Sequence, residues 1–196
     1  IEARYTGGRV DYTNSGTLDN IDDFMLEFRG LVGYDFSTYE GYGITPYIGF
    51  GYRYLNDDSS GMTTSTGARG YERESNYFYS PIGIEIINPL NDNWSMGLIL
   101  EYDHFWKGVQ KSHLSDASPA FSDLENDQNK GYGLRASLRF ERKGGAVDFL
   151  IEPFVRYWDI EESDTEDITY AGALWGYGWE PENNSTEIGL KLTVIL

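Results

Sequence analysis

The chain has two histidines, and each has a neighbour with which it could do chemistry. His113 and Ser115 stand two apart. In an extended segment they share a face, and a Ser–His pair supported by an acid can hydrolyse an ester. Asp103 and His104 are adjacent. On a strand, adjacent side chains point to opposite faces, so this pair is not expected to act as a dyad. His104 is expected among apolar and aromatic neighbours near an outer rim. A third candidate is the run Asp159, Glu161, Glu162, Asp164, Glu166 and Asp167, which has six acids in nine residues and no base. Such carboxylates can hold a divalent cation, but their spacing is not that of an EF-hand loop. The plainer reading is a solvated loop. Further on, Trp175, Tyr177 and Trp179 alternate with Gly176 and Gly178. Aromatic residues interleaved with glycine make adaptable contact surfaces, so these three are the expected contact residues for an extracellular protein or glycan. Cysteine is absent, which removes disulfides, thiolate metal sites and Cys nucleophiles. No motif asks for a cofactor.

The elements that must position these residues read as strands. Apolar and polar residues alternate with period two over 24–36, 44–54, 78–86, 94–106, 132–140, 147–157 and 188–196. Residues 2–12 give a weaker eighth strand, whose Gly7–Gly8 pair is the expected place of a bulge. The links alternate in length. Those at 13–23, 56–76, 108–130 and 159–185 are long. Those at 37–43, 88–93 and 142–146 are short and carry turn residues such as Glu40–Gly41, Asn91–Asp92 and Gly144–Gly145. Within the long links, 71–74 is expected to extend a strand with cross-strand ion pairs. No helix and no domain boundary stands out, so residues 1–196 read as one all-β domain. The pattern is that of an eight-stranded antiparallel up-and-down barrel with four long loops at one end and tight turns at the other.

The alternation leaves two barrels open. One is soluble and lipocalin-like, apolar inside; the other spans a membrane and is apolar outside. Three features favour the second. The apolar face is bulky, with Trp, Phe, Tyr, Ile or Leu at nearly every position, and an eight-stranded interior barely holds side chains. The charged face is rich in glycine (Gly33, Gly49, Gly51, Gly83, Gly97, Gly133 and Gly189), which suits a cramped interior. Aromatic residues mark the ends of the apolar stripes, as interfacial girdles do. Strands of roughly 9–11 residues are also long enough to cross a bilayer. The interior of such a barrel would hold Glu27, Arg29, Arg53, Glu85, Glu101, Arg135, Arg139, Glu141, Glu152, Arg156, Glu187 and Lys191. The same alternation puts Asp35, Asp103, Lys107 and Asp148 inside. Acids and bases nearly balance there, so a lumen filled by ion pairs is expected rather than a polar path for ions.

The alternation, the segment ITPYIGFGYRY at 44–54 and the last strand make the whole chain resemble the small eight-stranded bacterial outer-membrane barrels. These include the OmpA transmembrane domain, OmpX and the OmpW group. Members commonly end in Phe or Trp, where this chain ends in Leu196. The resemblance implies a Gram-negative outer-membrane location, a signal peptide already removed, and contact with outer-membrane lipid and lipopolysaccharide. It implies function through surface loops, as in adhesion. The OmpW group implies, as an alternative, narrow porin-like passage of small apolar or ionic solutes. The His113–Ser115 pair is similar to that of the outer-membrane lipid A deacylases, a resemblance in which Glu125 would orient His113. The reading preferred here is a non-enzymatic, monomeric barrel that presents its loops.

The net charge is -17, which argues against nucleic acid as a partner. Almost all of it falls in the four long links, and 159–185 alone holds eight acids and no base. If the barrel stands in a membrane, one end of it is an anionic crown.

Overall fold

Strands as long as 19 residues dominate the computed structural model, which describes residues 1–13, 16–38, 40–143 and 147–195. The expected Gly144–Gly145 turn and Leu196 lie outside the described residues. Among the described residues, twelve strands and one short helix follow in order: β1 (Glu2–Thr13), β2 (Thr17–Gly33), β3 (Phe36–Ser37), β4 (Gly43–Asp58), β5 (Glu72–Pro89), β6 (Trp94–Ser112), α1 (Leu114–Ala117), β7 (Leu124–Gln128), β8 (Gly131–Arg142), β9 (Asp148–Ile160), β10 (Glu166–Tyr170), β11 (Ala173–Gly178) and β12 (Asn183–Ile195). Eight are long and form one antiparallel ladder in the order β1-β2-β4-β5-β6-β8-β9-β12. β3 and β7 add short flanking pairs, while β10 and β11 form a separate hairpin. The architecture is therefore an all-β antiparallel sheet.

The sheet curls strongly, because groups far apart along the ladder touch across its concave face. Arg156 of β9 meets Glu27 of β2, and Trp158 of β9 packs edge-on against Tyr79 of β5 with ring centroids 5.0 Å apart. Among the described residues, β1 and β12 share no backbone ladder. Side chains join these two edges instead. Arg4 forms an ion pair with Glu187, and its guanidinium lies 5.7 Å from the centre of the Phe154 ring on neighbouring β9.

Apolar residues lie outside and charge lies within. Phe28, Ile48, Phe50, Ile82, Leu100, Leu134, Ile151 and Ile188 are all exposed, whereas Glu27, Arg29, Glu101, Glu152 and Arg156 are buried. A water-soluble fold would bury the first set and expose the second. An aromatic row runs around the outside. Tyr5 meets Phe24, Phe24 meets Tyr54, Tyr52 meets Phe78, and Tyr102, Tyr132 and Tyr157 follow. His104 sits in this row on the outer face, edge-on to Trp106 at 4.4 Å, while Asp103 is buried on the inner face. The inner glycines make room for rings. A Cβ on Gly51 would stand 2.3 Å from the Tyr79 ring, and one on Gly83 would stand 2.3 Å from the Tyr47 ring.

Four sequence expectations need correction. The long links are shorter than expected, because strands keep pairing through polar residues past the apolar band. β1 and β2 continue to Thr13 and Thr17, so only 14–16 remain of the link expected at 13–23. The ladder of β1 is regular through Gly7–Gly8; the bulge is in β2, where Asp19 and Asn20 stand opposite Asp11. There Asn20 adopts a φ of 61° and its N–H donates to Asp11 Oδ1 at 2.9 Å. Lys107 does not point inward. A register shift pairs Phe78 with Lys107 and Tyr79 with Phe105, so the alternation slips by one residue at Trp106. Lys107 therefore faces out and pairs with Asp127 at 2.8 Å. Finally, one helical turn, α1, forms where no helix stood out, so Ser115 is helical rather than extended. The expected extension at 71–74 is met in part: β5 begins at Glu72, Tyr71 precedes it, and Arg73 pairs with Glu180 of a link rather than across the ladder.

Candidate functional site

The concave face carries a layered charge network. Arg29 donates both Nη groups to Glu101, at 2.9 and 2.6 Å, and Tyr47 OH donates to the same carboxylate at 2.7 Å. Arg156 does likewise to Glu27, at 2.9 and 2.6 Å, with Tyr79 OH adding a bond of 2.7 Å. Such forked arginine–carboxylate pairs are strong and directional. Glu152 accepts from Arg135 and from Ser137 Oγ, both at 3.0 Å, with Arg139 at 3.5 Å and Lys191 at 3.9 Å. Arg139 also pairs with Glu85, and Glu141 with Lys143 at 3.3 Å. Arg53 lies over the Trp158 ring at 5.3 Å. The structure places the twelve charged residues named first for the interior, Glu27 to Lys191, on this face or at its seam, whereas Lys107 faces out and Asp35 is exposed.

Toward the loop end the network is topped by a cluster of Tyr77, Tyr79, Phe105, Trp158 and Ile160, all buried. Gln110 then bonds Tyr77 OH at 2.7 Å and Gln128 at 3.0 Å. The concave face thus carries paired charge below and rings above. Asp103 stands apart. It is buried, and neither of its oxygens makes a hydrogen bond in the described structure.

At the loop end, β6 delivers His113 to the start of α1. Its Nε2 lies 3.3 Å from Glu74 Oε1, and its Nδ1 lies 3.8 Å from Asp123 Oδ2. The Ser115 N–H donates to Asp123 Oδ1 at 2.9 Å. Partial burial pushes the Asp123 carboxyl up, but Ser115 and His113 outweigh it, and the group sits below the usual carboxylate range. Glu125 lies on β7 against Lys111, at 3.6 Å. Sequence reasoning placed His113 with Ser115 and Glu125. The structure places it with Glu72, Glu74 and Asp123.

The acidic run is spread out rather than gathered. Asp159 accepts from Tyr157 OH at 3.1 Å, Glu161 pairs with Lys130 at 3.1 Å, and Asp164 accepts from the Asp127 N–H at 2.6 Å. Glu162 is an exposed residue of the link, and Glu166 and Asp167 lie exposed on β10. Among the described residues, the grouping whose ligand atoms could surround one metal ion is Glu72, Glu74 and His113.

The β10–β11 hairpin presents the aromatic candidates. Trp175, Tyr177 and Trp179 are 65%, 62% and 55% exposed. Phe121 braces the hairpin from below, edge-on to Tyr170 at 5.0 Å and to Trp175 at 5.3 Å. Buried Ile168 and the close approach of Leu124 to Gly178 fix its inner side. The hairpin is also tied down by Asn126 Nδ2, which donates to the Asp164 and Gly178 carbonyls at 3.0 and 3.2 Å. Sequence analysis found Trp175, Tyr177 and Trp179 but missed Phe121, which has no periodic neighbour to mark it.

The model of a family described as Autotransporter beta-domain matches residues 2–143. That span runs from β1 through β8 and includes most of the charge network. No curated protein matches the chain.

Proposed function

The chain belongs to the autotransporter beta-domain family, whose members are outer-membrane β-barrel domains of Gram-negative bacteria, and from this we propose a closed eight-stranded barrel that holds a binding surface outside the cell. Its likeness to the OmpA, OmpX and OmpW barrels is proposed at the level of strand number and filled interior. The observation that carries the reading is the β10–β11 hairpin, a braced two-stranded shelf that leaves Trp175, Tyr177 and, just beyond β11, Trp179 open to solvent. Large exposed aromatic groups on a braced element fit recognition of a protein or glycan. The outer apolar band would contact lipid. The acidic loop end would face the lipopolysaccharide headgroups, and the barrel would act as a monomer.

Two observations favour a scaffold over a channel or an enzyme. Paired charges and rings bridge the concave face from strand to strand, which suits a scaffold more than a pore. His113 Nε2, the nitrogen that would take a serine proton, faces Glu74 rather than Ser115.

The test is binding. The detergent-folded protein and a Trp175→Ala/Tyr177→Ala/Trp179→Ala variant would be screened on a glycan array and on a panel of extracellular-matrix proteins. The expected result is a ligand held by the parent and lost by the variant, with unchanged heat-modifiable gel migration. A ligand bound equally by both would remove the hairpin from the reading.

A further inference from the structure

We propose that Glu72, Glu74 and His113 form a binding site for a divalent transition-metal ion on the outer flank of the loop end. Glu72 and Glu74 stand two apart on β5 and share its outer face. The neighbouring strand ends opposite them, where the His113 N–H donates to the Glu72 carbonyl at 3.0 Å. This pairing brings one imidazole nitrogen and one oxygen from each carboxylate within 4.8 Å of one another. The residues are partly buried, with His113 and Glu74 side chains 30% and 23% exposed, so an ion there would keep open positions for water.

Each ligand is held from behind. Asn56 Nδ2 donates to Glu72 Oε1 at 2.6 Å. Asp123 lies beside His113 Nδ1, the carboxylate–imidazole arrangement that orients a metal-binding histidine, and Nε2 is directed at Glu74. The Glu72 N–H donates to Asp116 Oδ2 at 3.1 Å, which pins the strand end. The nearby cations are engaged elsewhere: Lys111 with Glu125, and Arg73, on the opposite face of β5, with Glu180. Among the described residues, His113 is the one ion-pair partner of the two glutamates. Two carboxylates this close repel unless a cation lies between them.

One nitrogen and two oxygens form a mixed donor set that suits Zn²⁺ and its transition-metal neighbours better than Ca²⁺ or Mg²⁺, which prefer oxygen alone. Neither the family match nor the aromatic hairpin accounts for these residues, so the site stands independently of the binding function proposed above.

The experiment is calorimetric titration of chelator-treated, detergent-folded protein with Zn²⁺, with Mg²⁺ in parallel. One Zn²⁺ per chain should bind, at least tenfold more tightly than Mg²⁺. His113→Ala and Glu74→Gln should each weaken Zn²⁺ at least tenfold, and Asp123→Asn about tenfold. Glu162→Gln/Glu166→Gln, in the other acidic stretch, should change nothing. If His113→Ala does not fold, His113→Gln replaces it, and X-ray absorption of the parent's Zn²⁺ complex should show a single imidazole. Absence of saturable binding, affinity indifferent to His113, or an all-oxygen shell would overturn the proposal.

Discussion

Glu27 shows what a charge does on the concave face. It is 3% exposed, accepts a forked pair from Arg156 and a third bond from Tyr79. Removing it strands a buried guanidinium without a partner. Glu27→Ala should therefore cost about 3–5 kcal/mol, read from urea unfolding of the lipid-reconstituted protein. Arg9 and Asp22 form the contrast. Their ion pair spans 3.4 Å, but both side chains are largely exposed, so Arg9→Ala should cost less than about 1 kcal/mol. Equal costs for the two variants would mean that the inner network is hydrated and loosely held. The sequence alone marks Glu27 and Arg156 as inner residues by their parity. It does not pair them, because they are separated by 129 positions.

At the scale of elements, strands outlast the apolar stripes that first reveal them. β6 runs to Ser112, well past Trp106, because ladder hydrogen bonds continue where side chains turn polar. This extension carries His113 to Glu72 and Glu74, and it supports the β7 edge on which the aromatic hairpin rests. The hairpin meets the rest of the molecule through a few side chains and backbone bonds, among them Phe121–Trp175 and Asn126–Gly178. Replacing residues 165–178 by a short Gly-Ser linker should leave heat-modifiable gel migration intact while abolishing ligand binding. Loss of the folded band would show that the hairpin supports the sheet rather than standing on it.

For the whole molecule, shape turns on the seam between β1 and β12. An unpaired sheet edge facing lipid leaves backbone N–H and C=O groups without partners, which a bilayer does not tolerate. The Arg4–Glu187 contact already sets the two edges side by side. The chain has no cysteine, so the seam can be probed cleanly. Arg4→Cys/Glu187→Cys should be joined by a short thiol-reactive cross-linker in the lipid-reconstituted protein and not in urea. Efficient joining in urea, or none in lipid, would refute closure at this seam.

The sequence by itself determined which residues share a face, and the bulk, glycine content and aromatic ends of those faces pointed to a sheet that is apolar outside and charged within. Period-two alternation is a local property of extended backbone, so it survives without any knowledge of neighbours. The runs at 24–36, 44–54 and 94–106 show it, and it breaks where a residue is added to one strand, as at Trp106 of β6 and at Asp19–Asn20 of β2. The tertiary structure decided the rest: that Arg29 meets Glu101, that Tyr79 caps Glu27, and that His113 turns from Ser115 toward Glu74. Those meetings depend on strand register and on the curl of the sheet. Both arise from pairing between segments distant in the chain, and no local pattern encodes them.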